Sequence, residues 1–296
     1  MTDRSHRLLA CVVTYSPDAA VPERLRAIAA QVDHVLVVDN TPARAELAVD
    51  DARISVVFNE NRGAIAGALN AGLRYARQHG YTHLILFDQD TEIPAGLCER
   101  LMAFSQAQPQ AAIVGPRYLN SSTGHPGRIV STEGFFRRSR WPQAGDAPFE
   151  ALFLINSCSL LCLASLPGDL GYDEGLIVDN VDVDFCLALR RRGGSIWCAP
   201  GITVEHGIGA RRKGAGKWSP TNYSPLRKYL QSKNRVLVWR RYLGDHPGFV
   251  LQDIVVWLLD SARTVVLESG RGEKLGAILR GFVHGWLATG RRQGGA

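Results

Sequence analysis

Apolar runs alternate with helical patterns over the first third of the chain. The runs lack the alternation of inward and outward positions that a sheet with one wet face shows, and they occupy residues 7–15, 34–40, 53–59 and 82–88. Continuous apolar strands are typical of a parallel sheet with helices on both faces. Between Asn61 and Gly80 apolar residues recur at helical spacing, and a shorter helix is predicted from about Pro22 to Gln31. The pattern predicts an α/β fold with a mainly parallel central sheet.

The rest of the chain is more mixed. Residues 120–150 are rich in Gly, Pro, Ser and Arg, which predicts loops around a short antiparallel excursion. A core strand pattern resumes at 151–164, an acidic helix start follows, and another strand is predicted at 195–201. Helical patterns then predominate. We predict a main domain over residues 1–243 and an amphipathic helical extension over 244–296.

Polar side chains end three of the predicted strands. Thr14 and Tyr15 end the first strand, Asp39 ends the second, and Asp88 with Asp90 ends the fourth. Ligands of doubly wound sheets lie outside the carboxyl ends of the strands. We therefore expect these residues to line one site.

The paired aspartates of "DQD" indicate a cation site. Asp88 and Asp90 flank one residue, so both side chains can face the same side of an extended strand end. Mg²⁺ takes few protein carboxylates and completes its shell with water and substrate phosphates, which fits a nucleoside diphosphate ligand. A solvated turn is the alternative interpretation, because this short motif is common.

Two other segments are candidates for nucleotide contacts. Asp39 could accept hydrogen bonds from a base or ribose, or it could merely cap the next turn. The helix that starts after Asn61 offers backbone amides, with Asn61, Arg62 and Asn70 near a phosphate or ribose, and Gly63 allows close approach of a ligand. A helix that packs a small face on the sheet explains the small residues of this segment equally well.

Three more carboxylates, Asp179, Asp182 and Asp184, lie within six residues. Placing them together is costly unless a cation, an arginine or an acceptor proton is near, or unless a helix dipole offsets the repulsion. One of them could deprotonate an attacking hydroxyl group, and helix capping is the alternative. His206 follows about twenty residues later and could be a metal ligand or an ordinary core imidazole.

Basic residues cluster in two places towards the C-terminal end. Arg211 and Arg212 belong to a glycine-rich loop that could close over a diphosphate, although such runs are usually solvated surface loops. Leu275 to Leu287 form an apolar helical stripe surrounded by basic residues. This stripe predicts an amphipathic helix that lies on an anionic membrane surface or packs on the main domain. The same stripe could serve a homodimer.

Composition narrows the class of protein. Charged residues make up 21 % and hydrophobic residues 46 % of the chain, as in ordinary globular proteins. The formal charge of +6 suits an anionic partner, but no nucleic-acid-binding motif accompanies it. The six cysteines form no CxxC pair, and no apolar run approaches the roughly 20 residues of a membrane span. The N-terminus reads as a first strand rather than a signal peptide, so we expect a reduced, cytoplasmic protein.

In their order along the chain, these motifs resemble the family 2 glycosyltransferases of the GT-A fold, and among them the rhamnosyltransferases. The resemblance extends from about residue 8 to 242 and rests on "VVTYSP", "QVDHVLVVDN", "NRGAIAGALNAGL", "LILFDQD", "FLINSCSLL", "VDNVDVDF", "EHGIG" and "RKYLQSKNRVLV". The pair DQD and VDNVDVDF, in this order, is its specific part. The tail segment "RGFVHGW" is similar to that of rhamnosyltransferases that add the second sugar of rhamnolipids.

The resemblance implies a metal-dependent, inverting transfer of L-rhamnose from dTDP-L-rhamnose to a hydroxyl group of a glycolipid or lipid-linked glycan. It implies Mg²⁺ or Mn²⁺ bound by Asp90, with Asp88 in support and His206 completing the site. Asp182 would be the general base, and Asp184 would support it or contact the acceptor. Implied nucleotide-sugar contacts come from Thr14, Tyr15, Asp39, Asn61, Gly63, Asn70, Asp88, Arg211, Arg212 and Lys233, and implied acceptor contacts from Asn156, Ser157 and Asp179.

Three positions depart from the family's pattern. The arginine usual four residues after the second acid is Ala188, so either Arg190 or Arg191 substitutes for it or the acidic pair lacks its usual brace. Lys233 stands where an arginine is usual, and it keeps the charge but loses the bidentate fork for phosphate. Cys158 stands where a glycine is often found.

Three other functions compete with this one. A family 2 enzyme that uses another nucleotide sugar for cell-surface polysaccharide synthesis would keep the same motifs. A nucleotidyltransferase would need a glycine-rich, lysine-containing triphosphate loop after the first strand, and "TYSPDAAVPER" has none. A membrane-associated nucleotide-binding adaptor would explain the basic tail but not the ordered carboxylates.

Overall fold

The computed structural model of the chain describes residues 6–42, 47, 49–121, 123–206 and 221–288, apart from the side chain of His206. The first part contains β1 (Leu8–Thr14), α1 (Val21–Ala29), β2 (His34–Asp39), β3 (Ile54–Phe58), α2 (Ala64–Gln78), β4 (His83–Asp88), α3 (Leu97–Ala107) and β5 (Ala111–Asn120). The second part contains β6 (Ile129–Val130), β7 (Ser139–Arg140), β8 (Phe149–Glu150), β9 (Leu160–Cys162), a 3₁₀ turn (Leu163–Ser165), α4 (Val181–Arg191), β10 (Ser195–His206), α5 (Pro225–Tyr242), α6 (Pro247–Leu267) and α7 (Arg271–Leu287).

An eight-stranded sheet forms the centre of the fold, with the strand order β3-β2-β1-β4-β9-β5-β10-β8. β3, β2, β1 and β4 run parallel, as do β5 and β10, whereas β9 and β8 are antiparallel to their neighbours. The predicted α/β fold with a mainly parallel sheet is confirmed. The predicted excursion is a separate antiparallel pair of β6 and β7.

Both faces of β1, β2 and β4 are buried, which explains their continuous apolar sequence. In β1, Leu9 and Cys11 face the core layer that contains α2 and α4, while Leu8, Ala10 and Val12 face the layer that contains α1 and α3. Each position therefore removes apolar surface from water, at roughly 25 cal/mol per Å². No polar face remains to produce an alternating pattern.

Small residues bring α2 directly onto β1. A Cβ atom on Gly72 would lie 2.6 Å from Sγ of Cys11, which is too close for any non-bonded contact. Glycine at this position lets the helix approach the strand closely. Packing on the sheet is therefore at least one reason for the small residues in this segment.

The apolar run over 151–164 was predicted as a core strand, but only the three residues of β9 are extended. The preceding residues form a turn in which the Ser159 N–H donates to the Asn156 carbonyl, 2.9 Å away. The Cys158 backbone there has a φ of +62°, which is incompatible with a strand. Strand propensity is overridden because the Cys158 N–H donates to the Leu86 carbonyl of β4 from this left-handed turn.

Three helices complete the fold on the C-terminal side. α7 packs closely on α5, since a Cβ atom on Gly281 would lie 2.3 Å from the Tyr229 carbonyl oxygen. The stripe predicted along α7 is split: Ile278 is buried, whereas Leu279 and Trp286 are about half exposed. Phe249 of α6 joins a buried cluster with residues of α5 and α4, so the boundary after residue 243 stays a prediction. Within the described ranges, no helix combines the length and the apolar character needed to cross a membrane.

Candidate active site

The carboxyl ends of three neighbouring strands bring the predicted site residues together. In the parallel register of β1 with β2, Thr14 lies opposite Asp39. In the register of β1 with β4, Val13 lies opposite Asp88. The predicted convergence of these strand ends at one edge of the sheet is confirmed.

Asp39 is fully buried and has one oxygen available for a ligand. Its Oδ1 accepts hydrogen bonds from the Thr14 hydroxyl at 2.9 Å and the Thr41 hydroxyl at 2.7 Å. Its Oδ2 is buried without a hydrogen-bond partner among the described residues. Buried polar atoms are normally paired, and an orphaned one carries a desolvation cost. A hydrogen-bond donor on a ligand would satisfy this oxygen, so the predicted nucleotide contact of Asp39 stays a prediction.

Gln89, the middle residue of "DQD", ties the end of β1 to the end of β4. Its side-chain oxygen accepts from the Tyr15 N–H at 2.8 Å, and its side-chain nitrogen donates to the Tyr15 carbonyl at 3.2 Å. This reciprocal pair was not predicted from the sequence, because a lone glutamine carries no distinctive signal. It leaves the Tyr15 side chain 52 % exposed beside the strand ends.

The acidic pair lies on a tight turn. The Thr91 N–H donates to the Asp88 carbonyl at 3.1 Å, which places Asp88 half-buried at the strand end and Asp90 exposed on the turn. The Thr91 and Ser157 hydroxyls are hydrogen bonded at 2.8 Å and are both buried. Ser157, predicted as an acceptor contact, thus fixes the far end of this turn.

Cys158 adopts a backbone conformation that favours glycine. Its φ of +62° lies in the left-handed region, where a side chain costs roughly 1–2 kcal/mol. This conformation lets its N–H donate to the Leu86 carbonyl of β4, at 2.7 Å. The left-handed backbone is a sufficient reason for a glycine at this position.

The loop before α2 is also left-handed. Asn61 and Gly63 have φ values of +56° and +64°, and a Cβ atom on Gly63 would lie 2.7 Å from a carboxylate oxygen of Glu174. Asn61 is exposed, and the first backbone N–H groups of α2 follow directly. The contact of this loop with a phosphate or ribose stays a prediction.

Asn70, predicted as a nucleotide contact, is hydrogen bonded to another part of the protein. Its side-chain nitrogen donates to the Tyr172 carbonyl and to the Glu174 carboxylate, both at 2.9 Å, and its oxygen accepts from the Tyr172 N–H at 2.7 Å. Every polar atom of this side chain thus anchors the segment before α4. The structure gives Asn70 a positioning role, and a direct nucleotide contact stays untested.

Asp182 is a half-buried carboxylate in the first turn of α4. Burial raises its pKa from 3.8 to about 6, and the negative charges of Asp179 and Asp88 add to the shift. The N–H of Val183 donates to Oδ1 at 2.9 Å and opposes the shift. The influence of Asp88 means that the two predicted acidic motifs face each other across the site. A carboxylate with this pKa is well suited to accept a proton near neutral pH.

Asp184 has a different environment, which corrects its predicted role. It is fully buried, and its Oδ1 accepts from Arg241 at 2.8 Å and from the Tyr242 hydroxyl at 3.0 Å. A buried, paired carboxylate cannot contact an acceptor. Neither Arg190 nor Arg191 substitutes for the missing arginine, because Arg190 pairs with Glu150 and Arg191 with Asp245, and Arg241 braces Asp184 instead.

Asp179 lies at the entrance of α4, with a φ of +60°. Arg227 of α5 holds its carboxylate with two hydrogen bonds, at 3.2 and 3.3 Å. The side-chain nitrogen of Asn234 donates to the carbonyls of Val178 and Asp179 at 2.6 and 3.2 Å. α5 therefore fixes the acidic loop, and Asp179 reaches an acceptor only as an ion pair with Arg227.

The other predicted residues are placed as follows. The Asn156 side-chain oxygen accepts from the Tyr172 hydroxyl at 3.1 Å, next to the Tyr172 ring that stacks on Phe185. Lys233 lies on the side of α5 that packs against α7, about 100° around the helix from Asn234. Its contact with the nucleotide sugar stays a prediction. Outside the described residues are Arg211, Arg212 and the side chain of His206.

Asp88 and Asp90 fit a divalent cation that is held largely by its other ligands. The described residues assemble no group of three or more His, Cys, Asp or Glu side chains as a preformed metal centre. The two aspartates nevertheless offer oxygen ligands at a strand end, close to the further negative charge of Asp182. Mg²⁺ and similar ions are bound in this way when phosphates and water complete the shell.

The fold is the one seen in glycosyltransferases of the GT-A class. GalNAc-T7, solved with UDP, GalNAc and Mn²⁺, superposes with a TM-score of 0.57 over 96 % of this chain at 11 % sequence identity. The chain spans 56 % of the length of that protein. TarS residues 1–349 from S. aureus superpose with a TM-score of 0.55 over 94 % of this chain and 80 % of TarS, at 12 % identity. At these identities the likeness shows the fold alone.

The sequence profile of Glycosyl transferase family 2 matches residues 10–162, and the chain belongs to that family. A curated relative, the dTDP-rhamnosyl transferase RfbF of Shigella flexneri, is 25 % identical over 275 residues. That alignment covers 90 % of each chain. The protein is therefore a family 2 glycosyltransferase, and the family resemblance expected from the motifs is confirmed.

Proposed function

We propose that the protein is an inverting rhamnosyltransferase that moves L-rhamnose from dTDP-L-rhamnose to a hydroxyl group of a glycolipid or lipid-linked glycan. The proposal rests on one arrangement at the sheet edge: an orphaned acceptor oxygen on Asp39 and a carboxylate of raised pKa on Asp182. The first would select the nucleotide and the second would activate the acceptor. The rhamnosyl donor is supported by the S. flexneri relative.

Donor binding would use the strand ends and the α2 loop. Oδ2 of Asp39 would accept a hydrogen bond from the imide N–H of thymine, while the exposed Tyr15 ring would cover the base. The backbone at Asn61 and Gly63, followed by the first N–H groups of α2, would contact ribose or phosphate. Asp88 and Asp90 would hold Mg²⁺ or Mn²⁺, which when bound supplies positive charge against the diphosphate.

The transfer would be a single displacement. Asp182 accepts the proton of the acceptor hydroxyl while the acceptor oxygen bonds to C1 of rhamnose. The bond between C1 and the diphosphate oxygen breaks, and its electron pair leaves with dTDP. Attack from the opposite face turns a β-linked donor into an α-L-rhamnoside. Asp179, paired with Arg227, holds the start of α4 so that Asp182 keeps its orientation.

Substitution of Asp182, the proposed general base, tests the mechanism. Asp182→Asn should reduce rhamnosyl transfer by about 10²- to 10⁴-fold, because proton acceptance is lost, while dTDP affinity measured by calorimetry stays nearly unchanged. Asp50→Asn, at an exposed position, is the matched control and should transfer normally. An Asp182→Asn variant with full activity removes this residue from the reaction.

The donor sugar has a test of its own. The alternative donor is another nucleotide sugar. A thermal-shift screen of dTDP-, UDP- and GDP-sugars, with and without Mg²⁺ or Mn²⁺, distinguishes dTDP-L-rhamnose from such a donor. Binding to the native state raises the melting temperature in proportion to the logarithm of ligand concentration over Kd. We expect dTDP-L-rhamnose with a divalent ion to give the largest shift. A larger shift with another sugar nucleotide would replace the donor in this proposal.

The outer side of α7 supports peripheral contact with an anionic membrane surface. Leu279, Val283 and Trp286 are exposed there, with Arg271 and Arg280 on the same helix. Exposed apolar side chains next to arginines suit the interface of an acidic bilayer. Vesicles with anionic lipid should sediment the protein, and Leu279→Asp should weaken this sedimentation. If Leu279→Asp leaves vesicle sedimentation unchanged and instead dissociates a dimer in light scattering, this side of α7 is a homodimer interface.

A further inference from the structure

The outer side of α6 is an apolar surface that no other described part of the chain covers. The structure describes the whole of this helix, and every residue that is exposed on it is apolar. Leu267 lies apart from the others, and the remaining six lie on one side of the helix and form what we call the α6 face: Leu251, Val255, Leu258, Leu259, Ala262 and Val266. Large exposed apolar patches on soluble proteins mark interaction sites.

The α6 face has the same spacing in both directions along the helix. From Leu251 towards the C-terminal end, the next members follow after four, three and four residues. The same steps are found from Val266 towards the N-terminal end. Steps of three and four residues are those of the seam between two packed helices. Two copies of such a helix can therefore pair in opposite directions through the same residues.

Pairing about a two-fold axis would also match the sizes of the side chains. With the axis midway along the α6 face, Leu251 would lie level with the partner's Val266, and Val255 level with the partner's Ala262. A larger side chain would thus meet a smaller one at each of these levels, which favours close packing. A contact of this kind closes on itself and gives a dimer rather than a filament.

The turn between β6 and β7 extends the α6 face at one end. A Cβ atom on Gly248 would lie 1.8 Å from the Phe135 carbonyl oxygen, so the turn packs directly on the helix. Gly248 is three residues before Leu251 and lies near the same side of α6. Phe135 and Phe136 are 59 % and 61 % exposed there. With these rings the α6 face offers on the order of 800 Å² per protomer, as much as a stable interface buries on each partner.

The charges of α6 favour a second copy over an anionic membrane. The one basic residue in the sequence of this helix is Arg263, which lies beside the α6 face and is ion-paired with Asp260. Helices that lie on anionic lipid carry several lysines or arginines next to their apolar side, as α7 does with Arg271 and Arg280. An uncharged face, in contrast, causes no repulsion between two identical copies.

We propose that two copies of the chain form a dimer in which α6 packs antiparallel on the partner's α6 through the α6 face. On its inner side α6 is tied to α5, because Asp253 accepts a hydrogen bond from the Trp239 indole N–H at 2.8 Å. α5 in turn fixes the acidic loop before α4. The dimer therefore supports the candidate active site from outside, without contributing a residue to it.

Light scattering tests the dimer. The wild type at micromolar concentration should have twice the 32.4 kDa mass of the chain. Leu258→Asp and Val255→Asp each place two like charges in the contact and should raise the Kd of the dimer at least about tenfold. Leu279→Asp, on the outer side of α7, is the matched control and should remain a dimer. Melting curves check the fold of each variant.

Disulfide cross-linking tests the antiparallel arrangement, in a Cys162→Ser background because the five other cysteines of the chain are buried. Under mild oxidation Leu258→Cys should form a covalent dimer, since its two copies meet next to the axis. Leu251→Cys alone should not, because its two copies lie roughly 22 Å apart along the helices. Leu251→Cys mixed with Val266→Cys should cross-link.

A wild type with the mass of a single chain at every concentration would overturn the proposal. A dimer that persists in both folded α6 variants, or that only Leu279→Asp dissociates, would also overturn it. Where the wild type is monomeric and Leu258→Asp loses sedimentation with anionic vesicles, the α6 face binds a membrane. If the aspartate variants do not fold, the cross-links decide, and a Leu251→Cys that cross-links alone or a Leu258→Cys that does not contradicts the antiparallel pair. None of these measurements needs rhamnosyl transfer, so they are independent of the proposed reaction.

Discussion

Arg241 of α5 holds Asp184 of α4 in a buried ion pair, with 2.8 Å between Nη1 and Oδ1. The same guanidinium group contacts Asp173 through its other nitrogen at 2.5 Å. Asp182, two residues before Asp184, projects from the opposite side of the helix and faces the strand ends. One short acidic motif thus contributes a structural anion and a candidate base, and Arg241 keeps the two roles apart.

Replacement of Arg241 is expected to destabilise the protein strongly. Arg241→Met leaves Asp184 and Asp173 buried without their cation, and breaking a buried pair in this way costs about 3–5 kcal/mol. Urea unfolding should show a lower midpoint with an unchanged slope. Arg74→Met, at an exposed position of α2, is the control and should unfold as the wild type does. Equal midpoints for all three proteins would mean that the pair contributes no stability.

The part of the site built by neighbouring strands could be predicted from the sequence. The apolar run that ends at Asp88 predicts both a strand and the polar residue at its end. Parallel strands end at the same edge of a sheet, so such polar residues are expected to lie together. The Asp184 brace could not be predicted, since Arg241 follows 57 residues later on a helix whose pattern gives only its periodicity. The anchoring role of Asn70 could not be predicted for a related reason: its hydrogen bonds run to residues about 100 positions away, which no local pattern reports.

The pH dependence of the transfer rate should report the protonation of Asp182. The pKa of this carboxyl is about 6, and only the deprotonated form accepts a proton. We expect kcat/KM for the acceptor to be level above about pH 7 and to fall about tenfold per pH unit below about pH 6. A profile that stays level down to about pH 5 would contradict the assignment. The titratable groups around it are Asp88, Asp179, Tyr118, Tyr172 and Cys186, of which the tyrosines and the cysteine have pKa values raised by burial and stay neutral in this range.

The charged Asp182 carboxylate should reduce the free energy of unfolding at neutral pH. Its folded pKa lies above the unfolded value of 3.8, so the folded protein holds the proton more tightly, and this stabilisation is lost as pH rises through about 6. Asp182→Asn is neutral at every pH, and should therefore be more stable than the wild type at pH 8 by about 1 kcal/mol after allowance for solvent screening. At pH 4 the two should melt together. A constant difference at both pH values would point to packing instead of charge.

Asp39 should contribute to nucleotide affinity without a large effect on folding. In Asp39→Asn the Thr14 and Thr41 hydroxyls still find an acceptor, but the atom in place of Oδ2 becomes an N–H donor. That donor would oppose the imide N–H of thymine. Loss of a hydrogen bond to a charged group corresponds to about 1.5–3 kcal/mol, so the Kd for dTDP should rise roughly 10- to 100-fold in calorimetry. Asp169→Asn, at an exposed position, should leave it unchanged, and unaltered affinity in Asp39→Asn would remove the base contact.

Glu268 connects the C-terminal helices through a second buried charge cluster. Its two oxygens accept from Lys228 of α5 at 3.0 Å and from Lys274 of α7 at 2.9 Å, and the Thr221 hydroxyl also donates to it. Burial alone would raise the pKa of Glu268, but the hydrogen bonds from the two lysines bring it down to about 2. The cluster therefore stabilises α5 and α7 above about pH 4.5, and that contribution is lost as pH falls towards 2.

Glu268→Gln should leave two buried ammonium groups without their anion, and we expect a loss of about 3–5 kcal/mol at pH 7. The difference from the wild type should shrink between about pH 4.5 and 2, because the wild-type carboxylate is protonated there. Glu273→Gln, in the exposed first turn of α7, is the matched control and should change stability by less than about 1 kcal/mol. A difference that stays constant between pH 7 and about pH 2 would mean that Glu268 contributes through packing rather than through its charge.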